Sequence, residues 1–158
     1  MKLTIWRAVL GLLLLMSLFA IGCSHSPDTG QPPVIIYGED TCDRCRMIID
    51  DERFAAAYWT AEGQARRFDD IGGMVAYVRE AQEEVASFWV HDYLSGEWLS
   101  AESATYVLDN ALHTPMGFGI LACADEAEAQ DLAEAYEGAR VLTWQELLMQ
   151  GGAEMEHP

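Results

Sequence analysis

Lysine is almost absent. Lys2 is the only one, so every other basic residue is an arginine. Across 158 residues, 26 acidic side chains face 9 basic ones, for a formal charge of −17. Scattered arginines in so acidic a chain cannot build the basic stripe that nucleic acid needs. Acidity of this size keeps a protein soluble through self-repulsion. Cysteine is scarce too. Cys23, Cys42, Cys45 and Cys123 are too few and too unevenly spaced for a disulfide framework. No spacing marks a nucleophile with its base or a pair of catalytic acids. No glycine loop suits a phosphate, because Gly72-Gly73 follows Asp69-Asp70, whose charges repel one. The composition therefore points away from an enzyme. With 51% hydrophobic residues, most of the chain has what folding needs.

Only one long apolar run exists. Residues 8–21 carry no charge and follow Lys2 and Arg7. The run is short for a spanning helix, which needs about 20 apolar residues. It reads as a secretory signal over residues 1–22. Ala20-Ile21-Gly22-Cys23 resembles the bacterial lipoprotein box, so Cys23 is the expected lipidated N-terminus. The chain would then be exported and lipid-anchored to the cell membrane at its periplasmic face. Ser24 would permit transfer to an outer membrane. Residues 23–33 form a polar, proline-rich tether. As a coil, its last ten residues would span roughly 17 Å.

The folded part reads as α+β, built from two similar small ββαβ modules at residues 34–95 and 96–150. In the first, residues 34–37, 54–60, 65–68 and 87–91 are strand-like. Asp69 and Asp70 can cap a helix whose apolar face is Ile71, Met74, Val75 and Val78. In the second, residues 105–108, 118–123 and 139–143 are strand-like. Asp125 caps a helix with Ala129, Leu132, Ala133 and Tyr136 on one face. Residues 144–150 form a terminal helix, and 151–158 a loose tail.

Two segments carry the chemistry. Cys42-Asp43-Arg44-Cys45-Arg46-Met47 is a C-x-x-C-x-M pattern. Two close thiols can chelate an ion or form a disulfide. Thiolate with thioether is the donor set of Cu(I). Zinc would want four nitrogen or thiolate ligands, and no second cysteine pair exists. Arg44 and Arg46 favour a Cys45 thiolate, and Asp43 opposes them. The plain alternative for Met47 is core packing with Ile48 and Ile49. The second segment is His113-Thr114-Pro115-Met116-Gly117. A methionine between proline and glycine sits on a tight turn, which aims its side chain. Met116 can close a copper site between the modules, and His113 can add a nitrogen. Cys123 reads as a small buried hydrophobe. His91 reads as structural and His25 as solvated. Met149, Met155 and His157 lie in or near the tail and could at most hold a second ion loosely.

With these pieces in order, the chain resembles the NosL family, the lipoprotein accessory factors of nitrous-oxide reductase. The resemblance covers roughly residues 37–147 and the lipoprotein signal. It rests on C-x-x-C-x-M at 42–47, Phe68-Asp69-Asp70-Ile71-Gly72-Gly73-Met74, Trp89-Val90-His91-Asp92-Tyr93 and Thr114-Pro115-Met116-Gly117. Many members carry glycine between the second cysteine and the methionine, where this chain has Arg46. The resemblance implies a membrane-anchored Cu(I) metallochaperone. It would serve maturation of nitrous-oxide reductase together with an ABC-type machinery. It also implies a pair of ββαβ modules. Cys45, Met47 and Met116 match the expected copper ligands best, with Cys42 beside them.

The main alternative is a thiol-disulfide oxidoreductase using Cys42 and Cys45. Residues 34–37 running into the cysteine pair resemble the opening of a glutaredoxin. A redoxin's C-x-x-C opens a long helix. Here Asp50, Asp51 and a strand-like run follow instead. A third class is an interaction lipoprotein with a structural disulfide.

Overall fold

The computed structural model describes residues 28–150. The expected leader, the lipidated Cys23 and the tail, with His25, Met155 and His157, lie outside the described residues.

After a 3-10 turn at Glu52–Phe54, the order is β1 (Ala56–Thr60), β2 (Ala65–Phe68), α1 (Ile71–Ala81), β3 (Val85–His91) and β4 (Trp98–Ser100). Then come β5 (Thr105–Leu108), β6 (Ile120–Cys123), α2 (Glu126–Ala133), β7 (Arg140–Thr143) and α3 (Trp144–Gln150). The first sheet has the order β2-β1-β3-β4 and the second β6-β5-β7. All pairings are antiparallel. Without β4 the two sheets share one plan. The leading strand of each unit lies in the middle, with the next two strands on its flanks. The fold is the expected α+β pair of ββαβ units.

Local chemistry explains the elements. In β1, Ala56, Ala57, Tyr58 and Thr60 are buried, so both faces of this central strand are covered. Alanine fits there because it lets other elements approach closely. The Asp70 side chain accepts the Gly72 N–H at 2.8 Å and starts α1. Ile71, Met74 and Val75 then turn inward. Asp125 caps α2 in the same way through the Glu128 N–H. An aromatic chain joins the sheets. Phe68 stacks on Tyr58, Tyr58 meets Phe88, Phe88 meets Trp144, and Trp144 meets Tyr106. Buried residues from both sheets form one main cluster. The exit of β3 adds polar stitches. Tyr93 N–H donates to the Ala122 carbonyl, and buried Asp92 accepts the Ala124 N–H.

Two expectations need correction, and one strand is added. Residues 34–37 form no strand. The carbonyl of Ile36 accepts from Glu39 and Asp40, and its N–H donates to the Asp40 side chain, so a turn takes the ladder's bonds. Ile35 and Tyr37 still pack on the core. The edge strand β4 went unread, because Trp98-Leu99-Ser100 is short and follows a turn. The second helix stops at Ala133, short of Tyr136, which reaches its apolar cluster from the following turn.

Cys123 and His91 are what the sequence suggests. Cys123 is fully buried, and burial pushes its thiol up to about 11. His91 is buried, with Nδ1 2.7 Å from the Gly96 carbonyl and Nε2 2.7 Å from the Tyr37 hydroxyl. A carbonyl only accepts, so Nδ1 carries the proton and Nε2 accepts from Tyr37. Burial lowers the His91 pKa, which suits this neutral form.

Candidate metal centre

The C-x-x-C-x-M segment is a tight hairpin. Thr41 and Ile48 form a bridge, the Cys42 N–H donates to the Met47 carbonyl at 2.8 Å, and the Arg46 N–H donates to the Cys42 carbonyl at 3.0 Å. Asp43 clamps this hairpin to β2. Its N–H donates to the Arg67 carbonyl, and its carboxylate accepts the Arg67 N–H, each at 2.8 Å. Two residues further on, the chain passes Asp69. The clamp therefore sets both thiols against that carboxylate.

Cys42, Cys45 and Asp69 offer donor atoms that all lie within 4.8 Å of one another. Cys42 is fully buried, Cys45 is half-buried and Asp69 is buried. The Cys45 thiol donates to Asp69 Oδ2 at 3.5 Å. Asp69 Oδ1 is buried with no hydrogen-bond partner among the described residues. Both cysteines are free thiols. Burial pushes the Cys42 thiol up to about 12, against the pull of the Cys45, Asp69 and Arg44 backbone N–H groups. The flanking arginines have carboxylate partners of their own. Arg44 pairs with Glu80 at 2.9 Å, and Arg46 is largely exposed, 4.0 Å from Asp43.

The second segment meets the first through the neighbouring carboxylate. Asp70 Oδ2 accepts the Thr114 hydroxyl at 2.6 Å and the Met116 N–H at 3.0 Å. Met116 sits on a tight turn, as expected. The Gly117 N–H returns to the Thr114 carbonyl, and Gly117 has φ 75°. Phe118 holds the loop against α1, where a Cβ on Gly72 would fall 2.3 Å from its ring. Adjacent acids thus face two ways. Asp69 touches the thiols, and Asp70 ties down the methionine loop. Burial raises the Asp70 pKa, while the Thr114, Met116 and Gly72 donors oppose the rise.

The candidate residues end in different places. Cys42 and Cys45 share a cluster. Met116 is half-buried and packs on the core that contains Cys42, as does Cys45. Met47 is 57% exposed, so it is no core residue; Ile49 fills that role. His113 is exposed, and its Nδ1 donates to the nearby Ala111 carbonyl. The sequence reading of Asp69 misses its contact with the thiols. The available signal was a pair of acids at the edge of an apolar run, where one cap suffices.

Comparison with known proteins settles the family. A family model described as NosL matches residues 33–150. The chain belongs to the NosL family. It is 27% identical over 161 residues to the copper-binding lipoprotein NosL of Stutzerimonas stutzeri, covering 92% of this chain and 84% of that protein. Its fold matches the crystal structure of the copper chaperone NosL from Shewanella denitrificans with a TM-score of 0.64 at 20% identity. That match spans 76% of this chain and 96% of the other.

The departure from the NosL pattern now has a physical reading. Arg46 has φ 65°, the left-handed region where glycine is at ease. A side chain there costs roughly 1–2 kcal/mol, partly offset by the entropy glycine loses on folding. Arg46→Gly should therefore stabilise the chain by up to about 1 kcal/mol, a rise of about 3 °C in melting temperature. Thermal unfolding followed by circular dichroism checks this. A fall would mean that the Asp43 pairing outweighs the backbone strain.

Proposed function

We propose that the chain is an exported, lipid-anchored Cu(I) carrier that supplies copper for maturation of nitrous-oxide reductase, working with an ABC-type machinery. The observation that carries the reading is the convergence of Cys42, Cys45 and Asp69 beside the tied-down Met116 loop. The relatives' names, copper-binding lipoprotein and copper chaperone, support it. The ligands are Cys45, Cys42 and Met116, with Met47 joining from the hairpin's exposed side. Soft sulfur donors suit a soft monovalent ion. A carboxylate is a poor donor for that ion, so Asp69 accepts the Cys45 proton contact and orients the thiol. Binding displaces thiol protons. Release proceeds by ligand exchange, with a receiver's donors replacing these few ligands one at a time.

The redoxin alternative fares worse. The cysteine pair lies on a hairpin, not at a helix start. Burial pushes Cys42 up, whereas a redoxin's attacking thiol is pulled down. No helix among the described residues is long and apolar enough to cross a membrane, and the proposed anchor is the lipid on Cys23.

The test is an anaerobic Cu(I) competition titration of the soluble chain starting at Ser24, against a chromophoric chelator. One tight equivalent is expected. No tight binding, with Cys42 and Cys45 cycling as a disulfide, would overturn the carrier and favour the oxidoreductase.

A further inference from the structure

We propose that Val34, Ile36, Met47 and Ile48 form the docking face for the protein that receives the copper, a partner with an apolar centre and a basic rim. The proposal rests on the carrier reading and names where the cargo leaves.

These side chains are 74%, 52%, 57% and 54% exposed. Among the described residues only Leu94 and Met149 are large hydrophobics as open. Single exposed apolar residues are ordinary, but a contiguous group marks an interaction surface. Backbone bonds bring the two segments that carry this group together. The Gly38 N–H donates to the Ile49 carbonyl at 2.8 Å, and the Ile49 N–H to the Asp40 carbonyl at 2.9 Å. Residues 38–40 therefore run beside Ile49, where the 41–48 hairpin ends, and Arg67 reaches both the Val34 carbonyl and Asp40. Their neighbours turn the other way. Ile35 and Tyr37 pack on the core, and Ile49 is fully buried. The outward residues are thus not left over from an unfinished core.

Charge selects the occupant. Glu39, Asp40 and Asp43 lie in the same two segments, and Asp50 follows them. Arg67 is bonded to the Val34 carbonyl and lies 3.4 Å from Asp40, Arg46 faces Asp43, and Arg44 is paired with Glu80. With Glu80, five acids stand against these three arginines. A chain of net charge −17 repels a second copy of itself and an anionic bilayer. A protein whose basic side chains ring an apolar patch is the complement. Met47 sits within the face and two residues from Cys45. A receiver seated there can present its own donor as the Met47 bond opens. The ion stays Cu(I), and the Met47 sulfur leaves it as the receiver's donor arrives.

The experiment uses a triple variant, Val34→Ser, Ile36→Ser and Ile48→Ser, which leaves every proposed ligand in place. The full lipidated chain is expressed in cells lacking their own copy, and nitrous-oxide reductase is purified and assayed for copper. The soluble form is titrated with Cu(I) in parallel. Expected are wild-type affinity and a loss of at least about tenfold in enzyme copper, as removing central interface anchors does. Leu94→Ser with Met149→Ser, off this face, should change neither readout. Glu39→Arg with Asp50→Arg should lower enzyme copper as the triple variant does, and no effect would overturn the basic rim. Unchanged copper delivery by the triple variant overturns the docking face. So does a dimer in sedimentation that only the triple variant abolishes. So does binding of the wild-type soluble chain to phosphatidylglycerol–phosphatidylethanolamine vesicles that the triple variant loses. The carrier reading fails separately, through absent Cu(I) binding by the wild type or full enzyme copper without the chain, and either result removes this proposal with it.

Discussion

Cys45→Ser should lower Cu(I) affinity by more than about a hundredfold, since losing mere outer partners of a metal ligand already costs 10–100-fold. Cys45 is the more open of the two clustered thiols and donates to Asp69 Oδ2. A hydroxyl is a hard donor that stays protonated at neutral pH, so it replaces neither the charge nor the softness of the thiolate. Met116→Ala should weaken binding less, because a neutral thioether brings no charge. The fold should persist in the serine variant, since Cys45 is half-buried and the hairpin is closed by backbone bonds at Cys42, Arg46 and Asp43. Anaerobic competition titration of the three chains, with circular dichroism to confirm folding, decides this. Equal affinity for Cys45→Ser and wild type would move the copper site elsewhere. Loss with Cys45 but not with Met116 would keep the carrier and return Met116 to the core.

The same contrast shows which parts of this protein a reader of its sequence can see. Strands β2 and β5 fall where the sequence places them, because each is a short run rich in strand-forming or apolar residues between turns. The start of α1 is equally plain, since an aspartate before an apolar face with helical spacing is a local signal. Residues 34–37 mislead for a local reason too. Their apolar character is real, but their backbone donors and acceptors are spent within a turn. What fails is anything that depends on which loop lies beside which. Asp69 and Asp70 are identical letters side by side. Only the clamp between Asp43 and Arg67 brings the thiols to the first. Only the second sheet's loop, arriving from 44 residues away, gives the second its partner Thr114. Periodicity carries no information about such meetings. The close pair of thiols was legible because C-x-x-C-x-M is a local pattern, and the acid beside them was not.

Asp70→Ala should be the most damaging single change to the framework of the site. Asp70 is fully buried and accepts three hydrogen bonds, from the Gly72 N–H, the Thr114 hydroxyl and the Met116 N–H. Losing a helix cap alone costs about 1 kcal/mol. Each donor left buried without an acceptor adds about 1–3 kcal/mol unless water reaches it. A total near 3 kcal/mol follows if the loop opens enough to hydrate two of them, with a fall of about 6–12 °C in melting temperature. That same opening frees the Met116 turn, so copper binding should weaken even though no ligand has been removed. Asp70→Asn separates the two roles. Its side-chain oxygen can still take the cap, and the space is filled. Its amide would face donors at the loop, so the loop should loosen while α1 keeps its start. The expected order of copper affinity is therefore wild type, then Asn, then Ala, with stability in the same order. A chain with Asp70→Ala that melts and binds copper like the wild type would show that Phe118, wedged against Gly72, holds the methionine loop by itself.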